Sequence, residues 1–123
     1  MSIPLKISAA DLGTNTLKVT HATRRDGGEL VDMEHASDTV RLGFNLGRTR
    51  KIEEHRINAC LRFLKDQEAI GREYGSIDFI GVATEALRVA ENGSVLIDRI
   101  HSETAWKIEI ITGNREAELT YLG

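Results

Sequence analysis

The apolar positions near the N-terminus are spaced as in β-strands. An apolar run at residues 7–10 ends at Asp11, and residues 17–23 alternate between apolar and polar side chains, as half-buried strands do. Asp26-Gly27-Gly28 is a hairpin-turn signal, and residues 30–42 contain a further extended segment. The pattern therefore predicts an antiparallel meander of three strands, the first of them at residues 6–11.

A helical period replaces this alternation at residues 53–74, where apolar side chains form one stripe. The stripe comprises Ile57, Cys60, Leu61, Phe63, Leu64 and Ile70. We expect this helix to end at Gly71 or Gly75, because glycine is the usual residue just past a helix. Residues 43–51, punctuated by Gly43, Asn45 and Gly47, are predicted to be a loop.

Strands and helices alternate in the rest of the chain. The predicted elements are a buried strand at 77–83 parallel to the first, a helical turn at 84–88, a helix at 94–104, a strand at 107–111 and a final helix after Thr112-Gly113-Asn114. Asn92 is a suitable N-cap for the helix at 94–104. The predicted fold is α/β, with a mixed five-stranded sheet and the order β-β-β-α-β-α-β-α.

Composition narrows the class of protein. The 123 residues fit one domain and carry a formal net charge of −3 without a basic block, so we expect no nucleic-acid partner. No segment has the pattern of a signal peptide or a membrane span, so we expect no membrane partner and a cytoplasmic location. Cys60 is either a nucleophile or, as we favour, a small buried side chain. The four histidines lie too far apart for a zinc site.

The stretch from Asp11 to Thr16 holds the first candidate chemistry. Gly13 is expected to take a positive φ, so that the backbone N–H groups and the hydroxyls of Thr14 and Thr16 surround a phosphate, with Asn15 in the same turn. Asp11 at the strand end suits Mg²⁺, which prefers carboxylate and water oxygens. An ordinary hairpin turn that uses glycine and asparagine would give the same pattern.

Two further strand ends are predicted to meet this turn, because the carboxyl ends of parallel strands share one edge of the sheet. Arg88 would bring a cation suited to phosphate, although a structural salt bridge is an alternative. Glu116 would position and deprotonate water, although a glutamate in a first helical turn also suits the helix dipole alone. Neither a Walker loop nor a Gly-x-Gly-x-x-Gly motif is present.

Four stretches together resemble the exopolyphosphatase and guanosine pentaphosphate phosphohydrolase (Ppx/GppA) family. They are Asp11 to Lys18, Val40 to Gly43, Ala83 to Asn92 and Ile111 to Leu119. The resemblance implies a ribonuclease H-like, actin-like fold, with residues 1–123 as a single domain that forms the N-terminal half of a two-subdomain unit. It also implies Mg²⁺-dependent release of terminal phosphate from polyphosphate or pppGpp.

Residue roles follow from the resemblance by position. Glu116 matches the catalytic base, Asp11 and residues 13–16 match the first phosphate loop, and Arg88 matches a phosphate-facing cation. Three residues depart from the family pattern: Lys18 replaces a frequent Arg, Arg115 replaces a second acid, and Asn45 replaces a usual Gly.

The family's second phosphate loop, Asp-x-Gly-Gly-Gly-Ser, is absent from the sequence. We therefore expect a missing C-terminal subdomain, little activity of the chain by itself, and an exposed apolar edge that favours a homodimer or a partner chain. The chain would be a fragment or a naturally short protein. The alternatives to a hydrolase part are a non-catalytic module that senses polyphosphate or guanosine polyphosphates, and an α/β interaction domain whose Asp11 turn binds nothing.

Overall fold

The computed structural model describes residues 4–112 and contains a five-stranded mixed sheet. The strands are β1 (Leu5–Leu12), β2 (Leu17–Arg24), β3 (Leu30–Asp38), β4 (Asp78–Ala83) and β5 (Lys107–Ile110). Their order across the sheet is β3-β2-β1-β4-β5. Strand β1 pairs antiparallel with β2 and parallel with β4, and β4 pairs parallel with β5. The predicted meander and the parallel arrangement of β1 and β4 are confirmed.

The helices are α1 (Leu46–Thr49), α2 (Glu54–Tyr74), α3 (Glu85–Val89) and α4 (Gly93–Glu103). The prediction of loop throughout residues 43–51 is wrong, because α1 forms one helical turn there. Its backbone is closed by the Arg50 N–H, which donates to the Leu46 carbonyl at 2.8 Å. Burial of the Leu46 side chain fixes this turn against the core.

The helices and the sheet enclose one hydrophobic core. Ser8, Ala10 and Leu12 alternate along β1 as its buried positions, as the two-residue period of a strand requires. Trp106, at the entry to β5, is buried, and its indole N–H donates to the Leu64 carbonyl in α2 at 2.8 Å. Its ring and that of Phe79 in β4 form a T-shaped pair, with ring centroids 5.3 Å apart.

Helix α2 differs from its prediction near its C-terminus. Ile70, assigned to the apolar stripe, is 42% exposed. Gly71 lies inside the helix, where a Cβ atom would come within 2.6 Å of both Phe79 and Ser8. Gly75 ends the helix with a φ of 103°, and its N–H donates to the carbonyls of Gly71 and Arg72. Gly71 therefore allows close helix–sheet packing, and Gly75 alone provides the C-cap.

Asn92 occupies the predicted N-cap position of α4 but does not cap it with its side chain. Its amide instead accepts a hydrogen bond from the Ile52 N–H at 2.9 Å and donates to the Ile52 carbonyl at 3.0 Å. Asn92 thus joins the entry to α2 to the entry to α4, 40 residues along the chain.

The predicted final helix and residues 113–116 lie outside the described residues. Among residues 4–112, no helix combines the length and the apolar character needed to cross a membrane.

Candidate functional site

Backbone hydrogen bonds join the ends of the three parallel strands. The Thr84 N–H, just after β4, donates to the Leu12 carbonyl at the end of β1 at 3.2 Å. The Ile111 N–H, just after β5, donates to the Ala83 carbonyl at 3.0 Å. The strand-end site, as we define it, consists of Asp11, the turn at 13–16, Thr84 and Arg88. The first of these bonds holds Thr84 at the end of β1.

The turn at 13–16 is built differently from its prediction. Gly13 is absent from the glycines with positive φ, which within residues 4–112 are Gly27, Gly28 and Gly75, so the expected left-handed backbone at Gly13 is wrong. Glycine is needed there because a Cβ atom would lie 2.8 Å from the Thr16 carbonyl oxygen. The Gly13 N–H donates to that same oxygen at 3.2 Å. Close approach of two backbone segments therefore explains the glycine.

A neighbouring loop fixes the outer side of this turn. The Asn15 carbonyl accepts a hydrogen bond from the Arg41 N–H, and the Thr14 carbonyl accepts one from the Gly43 N–H, both at 2.9 Å. Gly43 lies so close to the Thr14 methyl group that a Cβ atom would overlap it. The carbonyls of Thr14, Asn15 and Thr16 are thus bonded within the protein, which leaves the N–H side of the turn to meet an anion.

The backbone of this loop is strained at three residues. Arg41, Asn45 and Arg50 have φ values of 57°, 59° and 61°, in the left-handed region that only glycine adopts at no cost and asparagine adopts more easily than arginine. Asparagine at position 45 is therefore a residue type that tolerates this backbone conformation. The sequence predicted no role for Arg41 or Arg50, because no local pattern marks a residue that will take a positive φ.

Asp11 lies at the end of β1 with an exposed side chain, opposite Lys18 in the pairing with β2. No cluster of three or more potential metal-ligating side chains occurs among residues 4–112. A single exposed carboxylate still fits Mg²⁺, which usually keeps several waters and takes one or two carboxylates together with phosphate oxygens. The donor set near Asp11 is therefore compatible with Mg²⁺ delivered with a phosphate ligand.

Arg88 lies in α3, three residues after Glu85, the first residue of that helix. Its side chain is exposed at the edge, and its Nη1 donates to the Ile111 carbonyl at 2.7 Å. That bond orients the guanidinium toward the end of β5 while the planar fork keeps further N–H donors. The structure thus brings Arg88 and the turn at 13–16 to one edge, whereas Glu116 lies outside the described part of the chain.

Two clefts flank the contact between Thr14 and Gly43. One, of about 440 Å³, is lined by Arg50, Glu85 and Val89 among others. The second, of about 430 Å³, is lined by Asn15, Thr39, Arg41, Gly43 and Phe44. A larger cleft of about 780 Å³ lies over the middle of β1, β4 and β5, with mostly apolar walls, and is separate from the strand-end site.

A second polar cluster lies inside the core and is called the buried network here. The Ser8 hydroxyl is 2.6 Å from His21 Nδ1 and 2.7 Å from the Ser76 hydroxyl, and His21 Nε2 is 2.9 Å from Gln67 Oε1. Ser8 and His21 are at most 1% exposed. A serine–histidine pair without access to substrate is structural, so the buried network is not a nucleophilic site.

Cys60 is buried in the hydrophobic core, and desolvation raises the pKa of its thiol to about 12. The thiolate, which is the reactive form, is therefore negligible at neutral pH. This supports the interpretation of Cys60 as a small core side chain.

A profile of the Ppx/GppA phosphatase family matches residues 22–123. Exopolyphosphatase 1 of Mycobacterium tuberculosis is 25% identical over 118 residues, which cover 96% of this chain and 34% of the relative. A crystal structure of the Aquifex aeolicus family member matches with a TM-score of 0.86 and 26% identity over 93% of this chain and 37% of that one. An exopolyphosphatase structure from Cytophaga hutchinsonii matches with a TM-score of 0.75 and 31% identity, over 93% and 36%.

The chain belongs to the Ppx/GppA phosphatase family. Its mixed sheet has the ribonuclease H-like, actin-like fold that the sequence resemblance implied. The chain spans about a third of the length of the curated exopolyphosphatases that it matches.

Proposed function

We propose that this chain is the N-terminal part of a hydrolase that releases terminal phosphate from inorganic polyphosphate or pppGpp by Mg²⁺-assisted attack of water. The hydrogen-bonded convergence of the three strand ends carries this proposal. It brings a backbone turn, a carboxylate and an oriented arginine to one edge. Phosphoryl transfer relies on such positioning and on electrostatic stabilisation.

The turn at 13–16 and Arg88 would share the negative charge of the phosphates. The carbonyls of Thr14 and Asn15 accept hydrogen bonds from the protein's own backbone, which favours an anion on the N–H side of the turn. Arg88 adds a fixed charge with a fork that matches phosphate oxygens. Asp11 would hold Mg²⁺, which when bound neutralises charge on the phosphate oxygens.

Glu116 would complete the reaction as the base that positions water and takes its proton. Its assignment rests on the family resemblance, four residues after Thr112 at the end of the described region. In the proposed reaction the water oxygen bonds to the terminal phosphorus, the bridging P–O bond breaks, and the shortened phosphate chain leaves with the electron pair.

The test is phosphate release from polyphosphate and from pppGpp with Mg²⁺. We would compare the 123-residue chain, the chain joined to a C-terminal subdomain, and a Glu116→Gln variant of each. We expect activity only in the longer protein and its loss in Glu116→Gln, because one half of a cleft leaves the phosphates hydrated. Binding without cleavage, unchanged by Glu116→Gln, would contradict the hydrolase and support a sensing module.

A further inference from the structure

One face of the sheet is covered by helices, and the other is open within residues 4–112. Buried side chains of α2 and α4 share one core with Ala10, Leu12 and Ile108, so both helices lie on the same face. The opposite face, which we call the open face, presents the alternate residues of the three parallel strands. They are Ala9 and Asp11 of β1, Ile80 and Val82 of β4, and Lys107 and Glu109 of β5.

The middle of the open face is apolar. Ile80 is 41% exposed, its neighbour Ala9 on β1 is exposed, and Val82 is half-buried. The cleft of about 780 Å³ lies over these residues, and its lining extends to Trp106 at the entry to β5. An exposed isoleucine at the centre of a sheet, surrounded by further apolar surface, indicates a face that another segment covers.

The chain itself supplies such a segment. Residues 113–123 follow β5 and lie outside the described residues. The sequence predicts a helix in them, whose apolar residues are Ala117, Leu119, Tyr121 and Leu122. A helix of about ten residues spans about 15 Å, whereas the strand from Lys107 to Ile110 spans about 10 Å. The segment is therefore long enough to return along the whole of β5.

The position of α4 decides which face this segment can use. Leu96 and Ile100 of α4 pack in the core with Ile108 of β5, so the core side of β5 is already occupied. The Ile111 N–H, bonded to the Ala83 carbonyl, fixes the start of the segment beside β4. A tethered segment meets the open face at an effective concentration of about a millimolar, which favours it over a second copy of the chain.

We propose that residues 117–122 of this chain dock on the open face, with their apolar side chains against Ile80, and that this contact holds Glu116 at the strand-end edge. The second part rests on the proposed function, in which Glu116 is the base. A segment that begins at the end of β5 and runs back over Ile80 keeps its first residues near that strand end. Tyr121 and Leu122 are then positioning residues for Glu116.

Thiol labelling of the 123-residue chain tests the docking. Ile80→Cys places a thiol on the open face, and Val95→Cys, at a position in α4 that is 52% exposed, is the matched control. Cys60 reports on folding, because burial raises the pKa of its thiol to about 12 and only unfolding would make it reactive. Rates of reaction with a maleimide would be measured at two protein concentrations.

Two further variants show which segment protects the thiol. One combines Tyr121→Asp with Leu122→Asp, and the other combines Asn114→Asp with Thr120→Asp, which adds the same charge at polar positions of the segment. Tyr121→Ala is a milder change that takes the place of the first variant if Cys60 becomes reactive in it.

We expect Ile80→Cys to react about tenfold or more slowly than Val95→Cys at both protein concentrations. The replacements at 121 and 122 should remove this protection, because a carboxylate is costly to bury on an apolar face, and those at 114 and 120 should retain it. Equal rates at 80 and 95, or protection that survives the replacements at 121 and 122, would overturn the docking. Protection that grows with protein concentration would also overturn it and assign the open face to a second copy.

The positioning of Glu116 is tested in the chain joined to a C-terminal subdomain. The replacements at 121 and 122 should lower kcat for phosphate release by about tenfold or more with KM unchanged, because a displaced base loses rate rather than substrate binding. An unchanged kcat would overturn the positioning. Absence of activity before any substitution would overturn the proposed function and the positioning with it, while the labelling rates still decide the docking.

Discussion

The buried network and the strand-end site use the same strands in opposite ways. In the buried network, His21 bonds to both Ser8 and Gln67 inside the core. At the strand-end site, the carbonyls of Thr14 and Asn15 are bonded, whereas the side chains of Asp11 and Arg88 are exposed. Polar groups that hydrogen-bond to each other in the core stabilise the fold, whereas exposed polar groups at a strand end are available to a ligand.

We expect the largest effect on the free energy of unfolding from the replacement of His21. Replacing it (His21→Ala) removes the shared partner of Ser8 and Gln67, leaves a cavity, and should lower the free energy of unfolding by about 2–4 kcal/mol. Urea unfolding measures this change. His35→Ala is the control, because His35 is exposed on β3 and its side chain, among residues 4–112, bonds to Thr20 alone, at 3.1 Å. Equal losses in the two variants would contradict a special contribution of the buried network.

Arg88 should show the reverse behaviour. Arg88→Ala should weaken tripolyphosphate binding by about tenfold at low salt, because a charge-assisted contact is lost. The free energy of unfolding should fall by about 1 kcal/mol or less, the value of its one bond to the Ile111 carbonyl. Calorimetry and urea unfolding measure the two changes.

Arg25→Ala is the matched control for Arg88, since it removes the same charge at the hairpin between β2 and β3, at the far end of the sheet. A similar loss of binding in Arg25→Ala would mean that Arg88 acts only through net charge.

Asn45 gives the smallest effect and tests the strain beside the site. Asn45→Gly should raise the free energy of unfolding by up to about 1 kcal/mol, because a φ of 59° costs glycine nothing. Asn58→Gly, the same substitution at an exposed position inside α2, should lower it by about 0.3 kcal/mol. Thermal unfolding of both variants measures the difference, and a loss of stability in Asn45→Gly would remove the argument for strain.

Local pattern predicted most of the fold but not the contacts between distant segments. The alternation at 17–23 and the glycines after Asp26 gave β2 and its hairpin, because strand period and turn chemistry are local properties. The partners of His21 and Asn92 could not be predicted, since Gln67 and Ile52 lie 46 and 40 residues away in the sequence. The N-cap role that local rules gave to Asn92 was overridden by its bonds to Ile52.

At the candidate site, the parallel pairing of β1 with β4 could be predicted from the sequence. The parallel strands required Asp11 and Thr84 to share an edge, and the structure joins the ends of β1 and β4 there. The positive φ predicted for Gly13 was wrong. Glycine is needed there because of close approach to the Thr16 carbonyl, which depends on the pairing of β1 with β2. Phe44 was missed, because nothing local distinguishes an aromatic residue that will be buried from one that rests on Arg56.

The most direct test of the strand-end site is an amide NMR titration of the 123-residue chain with Mg²⁺ and tripolyphosphate. We predict shifts concentrated at residues 13–16 and around Arg88, with the amides of Ser8 and His21 unchanged. Shifts centred instead on the apolar cleft beside Lys107, or no shifts at the turn, would contradict a phosphate site at the ends of these strands.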